Sequence, residues 1–261
     1  MGVICMDVFQ AIILGIIQGI TEWLPISSKS HLIIVERLFG LVQPPIFDLV
    51  LHIGSLFVIL LVFWKDIKEL IVGVLSRKRE SWMMLLYIII ATIPIVIFGL
   101  VFEDYVTSSR NSLYVLGFGF LFTSLLIFLS QYPKLKNREL GLWNSLVVGF
   151  GQVLALFPGV SRSGTTISTG MMLGIKKEII AKFSFLIFIP AILGATLLEF
   201  KDIGQVGNVM PLIIGMIVAM IVGYLSLKLL LTIIKNDKFK YFSLYCLVLG
   251  LIVLLFAYGI I

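Results

Sequence analysis

Apolar stretches long enough to cross a bilayer follow one another along the whole chain, and two of them are broken in the middle by proline, serine and basic residues. Hydrocarbon roughly 30 Å thick offers a backbone no hydrogen-bond partner, so each stretch has to satisfy its own N–H and C=O groups as a helix. The alternation expected of strands in a membrane barrel is missing. With 60% hydrophobic and 13% charged residues, the chain has too little polar side-chain surface to cover a water-soluble domain of 261 residues. The fold class expected is an all-α polytopic membrane protein, as one membrane domain over 1–261. No basic segment precedes the first apolar run and no small-residue cleavage site follows it, so that run reads as mature sequence rather than a signal peptide.

Six segments read as full transmembrane crossings: roughly 46–64, 82–102, 113–131, 181–199, 211–234 and 241–261, with kinks expected at Pro94 and Pro190. The first broken segment runs over 8–24, stops at Pro25-Ile26-Ser27-Ser28-Lys29-Ser30 and resumes over 31 to about 41. The second runs over 141–157, stops at Pro158-Gly159-Val160-Ser161-Arg162-Ser163-Gly164 and resumes over 165 to about 175.

Loop charges orient these pieces, because Lys and Arg accumulate on the cytoplasmic side of short loops. Lys65, Lys68, Arg77, Lys78 and Arg79 place one loop inside; Glu103, Asp104 and Arg110 place the next outside; Lys134, Lys136 and Arg138 fall inside again. Lys176, Lys177 and Lys182 also read as inside, so the second broken pair enters and leaves on one face as a re-entrant helix-loop-helix hairpin. Glu199, Lys201 and Asp202 follow outside, Lys235, Lys238 and Lys240 inside, and the C-terminus outside. A like treatment of the first pair puts residues 42–46 and the N-terminus outside. The halves, roughly 1–131 and 132–261, then form an inverted-topology repeat. Gly15-Ile-Ile-Gln18 ahead of Pro25 and Ser28 echoes Gly149-Phe-Gly-Gln152 ahead of Pro158 and Ser161. Such repeats bring broken helices together near the midplane, where non-helical backbone is tolerated only along a cavity.

Cys5 and Cys246 have neither metal nor redox spacing and read as packing residues. The net charge of +6 sits in loops, where it orients the chain and does not point to nucleic acid. The basic 65–81 loop either rests on anionic lipid or is simply solvated.

The second break has the composition of an anion cradle. Gly159 and Gly164 let the backbone turn and approach a ligand, and the N–H groups that open the next helix favour a phosphate. Arg162 can grip phosphate oxygens bidentately, with Ser161, Ser163 and Thr166 as further donors. A charge at bilayer depth costs about 2.5–3.5 kcal/mol on insertion scales and marks function more often than it snorkels. In the first break, Gln18 and Glu22 share a helical face, and His31 follows Ser27 and Ser28. A carboxylate there can hold a divalent cation or act as general base, a histidine can protonate a leaving oxygen, and Ser28 offers a hydroxyl as phosphate contact or nucleophile. Asp48 and His52, also four apart, support the same cavity from the side or else sit at the outer interface.

Together, Gln18-Gly-Ile-Thr-Glu22, Pro25-Ile-Ser27-Ser28, His31 and Pro158-Gly-Val-Ser161-Arg162-Ser163-Gly-Thr-Thr166 resemble the undecaprenyl-diphosphate phosphatase family known as BacA or UppP. The likeness continues through Phe183-Ser-Phe-Leu and Ile189-Pro-Ala-Ile-Leu-Gly194 and spans nearly the whole chain. It implies a plasma-membrane enzyme, dependent on Mg²⁺ or Ca²⁺, that removes the terminal phosphate of a polyprenyl diphosphate at a site facing the outer side. Recycling of the lipid carrier for cell-wall synthesis and bacitracin resistance are implied with it. By position, Glu22 and Gln18 match the acidic, metal-holding motif, with Glu22, Ser28, His31 and Arg162 as catalytic residues. Ser27, Gly159, Ser161, Arg162, Ser163, Gly164 and Thr166 match the substrate-binding set. Gln18 stands where Glu is common, and Lys29-Ser30 where Thr-Gly is common. The first removes a charge from the metal site; the second adds a cation that assists phosphate binding or alters the loop.

Partners expected are the lipid substrate and membrane lipids, with a homodimer as a candidate assembly. The competing class is a transporter or flippase for a phosphorylated lipid or other anion, since its architecture would be the same. A transporter needs binding groups but no acid–base pair, and that pairing favours the enzyme. The Lys-x₆-Arg-Pro segment of the other common membrane lipid phosphatases is absent.

Overall fold

The computed structural model describes residues 6–40, 45–109, 112–133, 137–199 and 208–260, all of it helix and connecting turns apart from one isolated bridge between Arg138 and Ile175. Cys5, the 41–44 connection, Arg110, Lys134, Lys136, Lys201 and Asp202 lie outside the described residues. Three helices are long and apolar enough to cross a membrane by themselves: α5 (Arg79–Val101), α10 (Lys177–Glu199) and α11 (Met210–Lys235). Pro94 and Pro190 lie inside α5 and α10, which continue through them. α7 (Leu113–Leu129) and α12 (Tyr241–Ala257) are apolar but shorter. The chain is a polytopic helical membrane protein.

The broken segments are helix pairs. In the first, α1 (Val8–Thr21) starts at a capping box in which Asp7 accepts from the backbone ahead and Gln10 reaches back. It gives way at Glu22 to a run of turns, and α2 (Ser28–Phe39) follows, closed by Gly40 in the left-handed conformation. In the second, α8 (Leu142–Leu154) and α9 (Arg162–Met172) flank the break. Arg138 N–H donates to the Gly174 carbonyl at 3.0 Å, so α8 begins beside the place where α9 ends and the pair is a hairpin.

Residues 65–81, expected as a loop, are mostly helix. α3 (Pro45–Val62) and α4 (Trp64–Leu75) meet at a 75° bend at Phe63, and α4 continues as an amphipathic helix. Its Ile67 and Leu70 pack on the core while Trp64, Ile71 and Leu75 stay exposed. Of the charges that suggested a loop, Lys65 and Lys68 belong to this helix, and Arg77, Lys78 and Arg79 to the turn and helix start that follow it. A short helix, α6 (Glu103–Ser109), lies in the loop after α5.

α1 packs on α11 and α8 on α5; α3 meets α11 and α10 meets α5; α7 pairs with α12, and α3 with α10. Exchanging α1, α3, α5 and α7 with α8, α10, α11 and α12 interchanges the first two contacts, interchanges the next two, and carries the last two onto themselves. The glycines of the sequence echo sit at matching contacts. A Cβ on Gly15 would lie 2.6 Å from the Gly215 carbonyl oxygen of α11, and one on Gly149 would lie 2.6 Å from the Ala91 carbonyl oxygen of α5. Small residues are what let membrane helices approach so closely. Basic clusters gather at one end: Lys177 pairs with Asp237 at 2.5 Å, and Lys182 of α10 pairs with Asp66 of α4.

Candidate active site

The two breaks face each other and are stitched together. Gly159 N–H donates to Ser30 Oγ at 2.5 Å, and the Ser163 hydroxyl donates to the Leu24 carbonyl at 3.4 Å. Thr123 of α7 braces the second break, taking the Ser161 N–H at 3.0 Å and donating to the Gly159 carbonyl at 3.2 Å. Gly159 has φ +89°, and a Cβ there would lie 2.2 Å from the Leu116 carbonyl oxygen, so only glycine fits this turn. Ser161 caps α9, its Oγ accepting from Gly164 N–H at 3.1 Å.

A cavity of about 140 Å³ opens where these breaks meet the flanks of α3, α5 and α10. Glu22, a residue 8% exposed, lines it and gathers the polar contacts. Arg162 Nη2 donates to Glu22 Oε1 at 2.6 Å, the Ser28 hydroxyl donates to Oε2 at 2.5 Å, and Gln18 Nε2 donates to Oε2 at 3.1 Å. His52 approaches from α3, its Nε2 4.0 Å from the same Oε2 and its Nδ1 held by the Asp48 carbonyl at 2.8 Å. The Arg162 guanidinium lies over the Phe188 ring, 3.5 Å from the centroid, and Trp23 packs edge-on against that ring. Ser27, which precedes α2, holds φ +67°, an uncommon conformation for a serine and one typical of constrained sites.

Of the residues expected here, Glu22, Ser27, Ser28, Ser161 and Arg162 line the cavity, and Gln18 is bonded to Glu22 behind it. Gly159, Ser163, Gly164 and Thr166 do not line it. They shape the break: Thr166 Oγ1 donates to the Arg162 carbonyl at 2.8 Å and lies 2.5 Å from Ser184 Oγ. His31 is also turned elsewhere. Its Nδ1 bonds the Ser27 carbonyl at 2.8 Å, its Nε2 bonds the Tyr245 phenol oxygen Oη at 2.8 Å, and its ring stacks on Tyr245. With both nitrogens engaged, His31 holds the Ser27 turn in place and presents no free nitrogen to the cavity. His52, a side candidate in the sequence, is the histidine on the cavity wall. Phe188 and Thr123 carry no motif that marks them and matter only through tertiary contact; Ser30 lies in the first break, but its hold on Gly159 shows only in the fold.

The donor set fits a divalent cation. Glu22 supplies a carboxylate, and the Gln18 Oε1 atom beside it is buried with no hydrogen-bond partner. Mg²⁺ sites commonly use one or two carboxylates and take their remaining ligands from water and substrate phosphates. Among the described residues there is no cluster of three or more His, Cys, Asp or Glu able to hold a metal without such help.

A helical membrane protein that lines a small cavity with a carboxylate, a hydroxyl and an arginine on an aromatic platform has the groups to bind an anion. The chain belongs to the family described as "Bacitracin resistance protein BacA", whose sequence profile matches residues 11–252. It is 40% identical to a protein named undecaprenyl-diphosphatase from Methanobrevibacter smithii, over 95% of this chain and 97% of that one. It is 37% identical to one of the same name from Halothermothrix orenii, over 97% and 99%, and 39% identical to one from Methanosphaera stadtmanae, over 96% and 98%.

Proposed function

We propose that this chain hydrolyses undecaprenyl diphosphate to the monophosphate and inorganic phosphate, and so returns the lipid carrier to cell-wall polymer synthesis and confers bacitracin resistance. The observation that carries the reading is the meeting of Ser28, Glu22 and Arg162, from two separate breaks, on one carboxylate. Ser28 is a nucleophile hydrogen-bonded to a base, the arrangement that activates a hydroxyl. Its Oγ attacks the terminal phosphorus as Glu22 takes the proton, the bond to the bridging oxygen breaks, and the lipid monophosphate leaves. Glu22 passes that proton to the departing phosphate oxygen. Water then attacks the phosphoserine, and Glu22 takes the water proton and returns it to Ser28 Oγ as the Oγ–P bond breaks, which frees phosphate and restores Ser28. Arg162 stabilises charge on the terminal phosphoryl oxygens, and the Phe188 face and Ser161 cap fix where it points. His31 serves as a positioning residue through Ser27.

Glu22 with the Gln18 carbonyl would hold Mg²⁺ or Ca²⁺, whose contribution is to neutralise phosphate charge and orient the oxygens. The transporter reading has no counterpart to the Ser28–Glu22 pair, and the relatives are named for hydrolysis.

The membrane arrangement that supports this is six crossings with two re-entrant hairpins, in halves of roughly 1–131 and 132–261 related as an inverted repeat. The exchangeable helix contacts, the matched Gly15 and Gly149 approaches and the hairpin closed at Arg138 and Gly174 favour it. The basic clusters at one end favour a cytoplasmic face there, and a plasma-membrane site open to the outer side.

The test is phosphate release from a long-chain polyprenyl diphosphate by the purified chain in detergent, with Mg²⁺ or Ca²⁺ present and then chelated. Metal-dependent release is expected. Tight binding of the lipid without release would instead support the transporter or flippase.

A further inference from the structure

The two breaks share more than their prolines. Pro25-Ile-Ser27-Ser28-Lys29-Ser30 aligns with Pro158-Gly-Val-Ser161-Arg162-Ser163, so Lys29 occupies in the first break the place that Arg162 holds in the second. Both side chains line the same cavity. Their circumstances differ. Arg162 lies on Phe188 and is paired with Glu22, whereas Lys29 is exposed and has no hydrogen bond or ion pair among the described residues.

The charges of the lining settle what this means. Its Asp, Glu, Lys and Arg side chains are one acid, Glu22, and two bases, Lys29 and Arg162, for a formal net charge of +1. Glu22 and Arg162 offset each other, so Lys29 supplies the net positive formal charge of the lining, beside the neutral donors of the break. Depth then divides the two cations between the two phosphates. Cleavage requires the terminal phosphate at Ser28, Glu22 and Arg162, where the Arg162 side chain is 20% and that of Glu22 is 5% exposed. The inner phosphate, which carries the polyprenyl tail, lies nearer the opening, where Lys29 stands.

We propose that Lys29 binds the inner phosphate, the one that stays on the lipid, and thereby makes the site prefer a diphosphate and hold its lipid product. This assignment rests on the phosphatase reading above. Lysine suits the task as a flexible point charge able to follow a phosphate at a cavity rim.

The experiment compares the purified chain with Lys29→Met and Lys29→Arg, using farnesyl diphosphate as substrate and farnesyl monophosphate and inorganic phosphate as separate inhibitors. Lys29→Met should raise KM and the inhibition constant of farnesyl monophosphate about tenfold, the loss expected of one partly solvated charge-assisted contact. kcat should hold within about threefold, inorganic phosphate should inhibit as before, and Lys29→Arg should restore both constants. An unchanged constant for farnesyl monophosphate overturns the proposal. So does an equal weakening of inorganic phosphate, which would put Lys29 on the terminal phosphate, or failure of Lys29→Arg to rescue, which would make Lys29 a loop-shaping residue. If the wild-type chain released no phosphate, the phosphatase reading would fall by itself. The two anions would then be titrated as ligands, and selective loss of farnesyl monophosphate binding in Lys29→Met would decide the Lys29 assignment.

Discussion

Replacing Arg162 by alanine should have two consequences that a second substitution can separate. The side chain donates at 2.6 Å to Glu22, whose own side chain is 5% exposed, so Arg162→Ala strands a carboxylate away from water. Breaking a buried pair in this way costs about 3–5 kcal/mol. Removing a donor that stabilises developing charge costs roughly 100- to 1,000-fold in rate. Arg162→Ala should therefore lower the unfolding midpoint in detergent and lower kcat/KM toward a polyprenyl diphosphate by two to three powers of ten, on the same estimates. Adding Glu22→Gln removes the stranded charge. The double variant should recover most of the thermal stability and none of the activity, because stability depends on charge balance and catalysis on the guanidinium and the base. Melting curves and phosphate release on the same three preparations settle the point. A loss of activity below tenfold in Arg162→Ala, or a double variant that regains activity along with stability, would refute this account of the site.

Gly159→Ala should be poorly tolerated, losing most folded yield, because the new methyl meets the Leu116 carbonyl oxygen and the backbone sits at positive φ; alanine at Gly141, where a Cβ meets nothing within 4 Å, serves as the control. Ser30→Ala should lower stability by about 1–3 kcal/mol, since it leaves the buried Gly159 N–H without its acceptor, and a thermal melt reads it directly. Tyr245→Phe removes only the partner of His31 Nε2, so it should lower activity by less than about tenfold, whereas His31→Ala also frees the Ser27 turn and should lose more; equal losses would show that His31 does not act through that turn. Chelation should abolish phosphate release, and Mg²⁺ or Ca²⁺ should restore it in the wild-type chain but only at raised concentration in Gln18→Leu, which keeps the packing but removes the buried carbonyl oxygen.

Hydropathy located the long helices well, because a segment that must span hydrocarbon has few other options. The breaks were legible from Pro25 and Pro158, but their edges were not. α1 gives way at Glu22, ahead of the proline, and α9 begins at Arg162 rather than Thr165 because Ser161 caps it. α4 was hidden by its charges, which suit a loop and a polar helix face equally, and only the packing of Ile67 and Leu70 distinguishes the two. That Glu22 and Arg162 share one cavity was legible from two breaks meeting; that they pair with each other was not, since by sequence one is assigned to a cation and the other to phosphate. The roles of the two histidines were not, since sequence proximity put His31 beside the serines while the fold turned its ring to Tyr245 and brought His52 in from α3. Phe188 is one apolar residue among many until Arg162 lies on it.

The contact between Arg162 and Glu22 also bears on how turnover closes. The carboxylate occupies in the resting cavity the place a phosphoryl group would take on the guanidinium, so binding is an exchange of one anion for another rather than the filling of a bare cationic hole. In the mechanism proposed above, the displaced carboxylate is then free to accept the Ser28 proton, and the expulsion of phosphate rests on that same mechanism. When the phosphoryl group has become free phosphate, Glu22 competes for the same guanidinium and helps expel it. An internal competitor of this kind weakens capture of substrate, but it guards the enzyme against being held shut by its own inorganic product.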